Sequence, residues 1–172
     1  MVHVFAERFK LMLLWGCLGA LVFIGASFLL PLQYSAESSV LLISRTQAGV
    51  DPYTQAKSAE RIGENLAQLM ATGDFYQKVM ESTSADLDTA YWKNLSERDR
   101  RKQWSKNVIG TVQYGASILN IKVFAGTREQ ASVLGEVVTQ TIIDRGWEYV
   151  GGDVIFKQVD SPLASQLPAR PN

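Results

Sequence analysis

From Leu11 to Leu32 the chain carries no ionisable side chain except the thiol of Cys17, and this run separates a short charged head from a long remainder of mixed polarity. Coiled as an α-helix it would extend roughly 33 Å at about 1.5 Å per residue, enough for a hydrocarbon core of about 30 Å. Its Leu, Ile, Val and Phe residues favour insertion by about 4 kcal/mol on translocon scales. A single membrane-spanning helix is therefore expected over residues 11–32. Arg8 and Lys10 precede the segment and no Lys or Arg follows until Arg45, so the positive-inside bias places the N-terminus in the cytoplasm. The remainder then faces the periplasm or the cell exterior, giving a single-pass protein of the cell (inner) membrane. A cleavable signal peptide would end in small residues at a cut site, and Pro31-Leu32-Gln33-Tyr34 does not supply them. Cys17, preceded by Trp15 and Gly16, reads as an apolar residue of the span rather than a lipid attachment site.

The sequence divides into a cytoplasmic stub (1–10), the span (11–32), an ectodomain (33–160) and a proline-rich tail (161–172). Lys plus Arg equals Asp plus Glu, so no global field recruits nucleic acid or an acidic substrate. With Cys17 as the sole cysteine, the ectodomain has neither a disulfide framework nor a thiolate zinc site. Its fold must rest on an apolar core, and about 130 residues suffice for one domain.

Within the ectodomain, Ser38 to Ser44 reads as a mostly buried strand. Asp51-Pro52 reads as an N-cap followed by proline at the first helical position, leading into an apolar face of Ala56, Ala59, Ile62, Leu66 and Leu69. Thr72-Gly73 closes that helix, and Asp74 is placed to cap a second through Phe75, Val79 and Met80. A third, charge-rich helix is expected over Leu95 to Lys106. Val108 to Tyr114 and Ile118 to Ala125 read as an antiparallel hairpin around Gly115. Thr127 with Gln130 forms a capping-box pattern at the head of a long helix through Ala131, Leu134, Val138 and Ile142, ending near Gly151-Gly152. Val154 to Val159 supplies a last strand before Pro162, Pro168 and Pro171 interrupt regular structure. The fold class is α+β: a small, mainly antiparallel sheet with helices packed on one face, preceded by the transmembrane helix.

This order resembles the chain-length determinants of bacterial surface polysaccharide synthesis, the polysaccharide co-polymerases, in their short form. The likeness rests on the stub and span, on Tyr34-Ser-Ala-Glu-Ser-Ser-Val-Leu-Leu-Ile43 as the strand leaving the membrane, and on the Asp-Pro-Tyr-capped helix closed by Gly73-Asp74-Phe75. Thr127-Arg-Glu-Gln-Ala131 and the final strand running into Asp160-Ser-Pro162 and Pro168-Ala-Arg-Pro171 complete it. The resemblance implies a non-enzymatic, membrane-anchored homo-oligomer that regulates the chain length and export of a capsule, exopolysaccharide or O-antigen, with the polymerase and the growing glycan as partners. In that family the tail leads into a second span. Here nothing apolar follows Pro171, which leaves open a returning helix beyond Asn172 or a C-terminus that stays outside. A bitopic scaffold of an envelope secretion or pilus assembly machine would use the same span and small domain.

Catalysis finds little material. The lone imidazole, His3, precedes the span, which removes histidine-based triads and metal sites from the ectodomain. Carboxylates remain at Asp51, Glu60, Glu64, Asp74 and Asp153; Glu60 and Glu64 lie one turn apart on an expected solvent face, and Gly151-Gly152-Asp153 reads as a helix end. No catalytic, metal or cofactor-binding residue is assigned, and no cofactor is expected. The one local basic cluster, Arg98, Arg100, Arg101, Lys102 and Lys106, is the candidate interaction surface. It suits an acidic neighbour in a ring, anionic lipid headgroups or a charged glycan. Trp92, Trp104 and Trp147 are expected to fill core or subunit contacts.

Overall fold

The structure, a computed structural model, describes residues 9, 12–22, 25, 32–44, 51–83, 87–113, 115–151 and 154–171. The chain divides into two compact units, Met1–Leu32 with Arg170–Asn172, and Gln33–Ala169. In the first, residues 12–22 are helical and largely exposed. Among the described residues no helix is long and apolar enough to cross a membrane; much of the 11–32 segment lies outside them. Leu32, assigned to that helix by its hydropathy, is instead the first residue of a strand.

The second unit is α+β. Strand β1 (Leu32–Ser44) is followed by α1 (Pro52–Leu69), α2 (Gly73–Glu81), the single turn α3 (Ala90–Lys93) and α4 (Glu97–Asn107). Then come β2 (Val108–Gln113), β3 (Ile118–Ala125), α5 (Arg128–Arg145), the single turn α6 (Trp147–Val150) and β4 (Val154–Ala164); a two-residue strand, β5 (Arg170–Pro171), belongs to the first unit. The four strands pair antiparallel in the order β2-β3-β1-β4. Ala36 faces Val123, Ser38 faces Ile121 and Val40 faces Leu119 across β1 and β3. Because side chains alternate across a strand, this register puts Ala36, Val40, Leu42, Leu119, Ile121 and Val123 on one face, where all are buried. Against that face, α1 packs on β2 and β3, and α5 on β3 and β4.

Capping chemistry sets the helix starts. The Asp51 side chain accepts from the Thr54 N–H at 3.0 Å, and Pro52 follows at the first helical position, as the sequence suggests. For α2 the expectation was wrong by two residues: Thr72, in extended backbone, occupies the cap and accepts from Phe75 N–H, while Asp74 lies inside the first turn. Thr127 caps α5 by accepting from Gln130 N–H at 3.2 Å. The Gln130 side-chain carbonyl accepts from the Asp88 backbone at 2.8 Å, tying down the segment before α3. One polar pair sits in the core: the Ser38 and Thr139 hydroxyls are 2.7 Å apart, and Thr139 also donates to Gly135 carbonyl. Each hydroxyl is thereby satisfied, which removes the cost of burying it.

The tail differs from its expected form. Rather than ending at Val159, β4 continues through Pro162 to Ala164, taking in the start of the proline-rich stretch. Proline is tolerated there because β4 is an edge strand and its pairing with β1 shifts register between Glu37 and Ser39. Beyond it the chain stays on β1: Ser165 N–H donates to Ser35 carbonyl and Ala169 N–H to Gln33 carbonyl, both at 2.7 Å. The segment therefore leaves the domain beside the point where β1 enters it.

Candidate interaction surface

The basic cluster lies on α4, whose first turn is held by Ser96: its hydroxyl accepts from Asp99 N–H at 3.2 Å. Helical geometry divides the five cations. Residues 98, 102 and 106 fall one turn apart in a single row, and Arg98, Lys102 and Lys106 are all exposed. Arg100 belongs to the inward stripe with buried Trp104 and Asn107, and its guanidinium lies 5.1 Å from the centre of the Tyr76 ring. Arg101 pairs with Glu97 one turn back and lies against Gly73, where an added Cβ would meet its Nε at 3.5 Å. The sequence cluster is thus an outward row of three and two anchored arginines.

The anchored pair borders a cleft of about 260 Å³ between α2 and α4, lined by Gly73, Asp74, Tyr76, Gln77, Glu97, Arg100, Arg101 and Trp104. Its floor is aromatic. Trp104 meets Tyr76 edge-on at 5.1 Å and Trp92 at 5.4 Å, and its indole N–H donates to Met70 carbonyl at 2.8 Å, covering the end of α1. Burial raises the Tyr76 phenol above its ordinary pKa, against a smaller opposing pull from Arg100. Trp92 and Trp104 are core residues, as expected; Trp147 is 54% exposed and donates to Asp144 carbonyl at 2.8 Å.

At the far side of α2, Asp74 accepts from the Tyr149 hydroxyl, Lys78 pairs with Glu148, and Arg145 pairs with Glu81 at 2.8 Å. Burial, then the hydrogen bond to Asp74 and that carboxylate's charge, push the Tyr149 phenol far above the usual tyrosine range. It stays protonated as a fixed donor. Nothing in the sequence pattern marks these pairs, because the partners are 64 to 75 residues apart.

Of the other carboxylates, Asp51 and Glu60 are tied into the fold. The Thr54 hydroxyl, followed by its backbone N–H, holds Asp51 below the ordinary carboxylate range. Glu60 departs from its expected place on a solvent face: it is 6% exposed and bridged to Lys57 at 2.9 Å, while Glu64 is exposed. The apolar stripe of α1 is wider than the period alone implies, with Ala59 and Gly63 buried on either side of Glu60 in sequence. His3 and Asp153 lie outside the described residues. Among the described residues no three His, Cys, Asp or Glu side chains approach as metal ligands would.

A second feature escaped the sequence reading. The sheet face opposite the helices carries a polar centre, where Lys122 pairs with Glu37 at 2.6 Å and Ser39 donates to Asn120 at 3.0 Å. Thr111 and Asp160 border the same shallow trough. The alternation of Glu37 and Ser39 with Asn120 and Lys122 was the available signal, but which residues meet depends on the register.

Fold and surface together describe an α+β domain with an exposed cationic row on α4 beside an aromatic-floored cleft between α2 and α4. Comparison with models of known protein families and with curated proteins finds no match.

Proposed function

We propose that this protein is a membrane-anchored, non-enzymatic, oligomeric regulator of surface polysaccharide chain length and export. The observation that carries the reading is the closing of the domain on itself. Gln33, one peptide bond beyond the apolar 11–32 run, accepts from Ala169 N–H, and Ser35 accepts from Ser165 N–H. A domain whose entering strand and leaving chain are clamped together suits a body held close to a membrane at one end, as in the co-polymerases that the order of elements resembles. In this reading the span lies within residues 11–31, ahead of β1, with the N-terminus in the cytoplasm and the domain outside. The exposed row of Arg98, Lys102 and Lys106 then serves a neighbouring subunit, headgroups or an anionic glycan.

Fractionation and cross-linking test this together. The full chain should remain in membranes through alkaline carbonate extraction and should yield cross-linked species above dimer mass in intact membranes. Release by alkali, or a strictly monomeric cross-linking pattern, would refute it.

A further inference from the structure

Between Asp160 and Arg170 the chain has no ionisable side chain. On this stretch lie Leu163 and Leu167, 78% and 77% exposed, the most exposed aliphatic side chains described in the Gln33–Ala169 unit. Isolated surface leucines are ordinary; the location of these two is not. The stretch is fastened to the first residues of β1 at both ends of the Leu167 segment. Ser165 donates its N–H to Ser35 carbonyl at 2.7 Å and its hydroxyl accepts from Ser35 N–H at 3.2 Å, and Ala169 donates to Gln33 carbonyl at 2.7 Å. Gln33 is one Cα step, about 3.8 Å, from the end of the apolar run. Leu167 sits midway between the two fastenings. In the membrane-anchored reading, covalent continuity alone brings Gln33, and the stretch fastened to it, close to the end of the apolar run; the stretch itself carries no ionisable group, and Glu37, which faces Leu163 across β1 and β4, is already paired with Lys122.

We propose that residues 161–169 form a lipid-contacting strap, with Leu163 and Leu167 inserted among the acyl chains at the membrane interface, where burial removes apolar surface from water. The proposal rests on the membrane-anchored reading above. Its ligand is the apolar boundary of the bilayer itself, not a particular headgroup.

The test uses the full chain carrying Cys17→Ser, reconstituted in phosphatidylcholine vesicles with and without lipid bearing a nitroxide near the headgroup. Leu163→Cys, Leu167→Cys and Tyr53→Cys variants each carry one polarity-sensitive fluorophore. Tyr53 is 78% exposed and lies on α1, near the β2–β3 turn, since Ser117 contacts Ala56, at the opposite end of β3 from Ala125. The expected result is a shift to shorter emission wavelength and nitroxide quenching at positions 163 and 167, and neither at 53. Emission at 163 and 167 matching that at 53, in protein that still resists alkali, would overturn the strap while leaving the anchor standing. A wavelength shift without nitroxide quenching would overturn it too, because protein and not lipid would then cover the leucines. Release of the protein by alkali would instead sink the anchored reading beneath it.

Discussion

Gly110 lies in β2 close against α1, and replacing it with alanine tests that packing directly. A Cβ built at Gly110 would stand 2.8 Å from Ala67 Cα, 2.8 Å from Met70 Sδ and 3.1 Å from Ala67 Cβ. The methionine can swing aside, but the Ala67 backbone belongs to a helix and cannot yield without moving the whole element. Overpacking of this kind costs about 1–3 kcal/mol. Restricting the unfolded chain returns about 0.4–1 kcal/mol of that, so Gly110→Ala should lose up to about 2.6 kcal/mol net, about 1.3 kcal/mol at mid-range. At roughly 3–4 °C per kcal/mol for a domain of this size, the melting midpoint should drop by about 4–5 °C at mid-range. Gly126→Ala is the matched control: nothing lies within 4 Å of its added Cβ, leaving only the unfolded-state gain. Thermal unfolding of both full-length variants in detergent, followed by far-ultraviolet circular dichroism, gives the comparison. A midpoint for Gly110→Ala equal to or above that of Gly126→Ala would refute the packing of α1 on β2.

Thr72→Ala should destabilise the protein by about 0.5–2 kcal/mol through loss of the α2 cap, measured as a lowered urea midpoint. The Tyr149 phenol should titrate far above the ordinary tyrosine range, a phase identified by its disappearance in Tyr149→Phe, and Asp74→Ala should lower its pKa because hydrogen bond and charge both vanish while burial remains. Since the folded state holds that proton more tightly than the unfolded one, whose phenol titrates near 10, its contribution to stability is complete below that pH and is lost as pH rises through the folded value. Reversing the exposed row with Arg98→Glu and Lys102→Glu should leave stability within about 0.5 kcal/mol while altering the cross-linking pattern or glycan length.

Much of the fold was legible because it is locally encoded. Asp51-Pro52, Thr127 and the alternation of Leu119, Ile121 and Val123 each announce an element from neighbouring residues. The cap of α2 is ambiguous in sequence because Thr72 and Asp74, two residues apart, can both accept at a helix start, and the backbone decides between them. The turn α3 has no period to detect; its Trp92 meets Tyr76 of α2 and Trp104 of α4, contacts between separate elements that no local pattern specifies. The end of β4 is not legible at Pro162, because proline commonly stops a strand, whereas an edge strand with a register shift accommodates it. The basic cluster was visible as composition, but its division into an outward row and two anchored arginines depends on the packing of α4 against α2.

The measurement that bears most directly on the proposed function is the length distribution of surface glycan in cells lacking this protein, resolved on gels beside the parent and a complemented strain. A regulator of chain length requires the modal length to collapse or broaden on deletion and to return with the intact gene. An identical distribution in all three strains would contradict it.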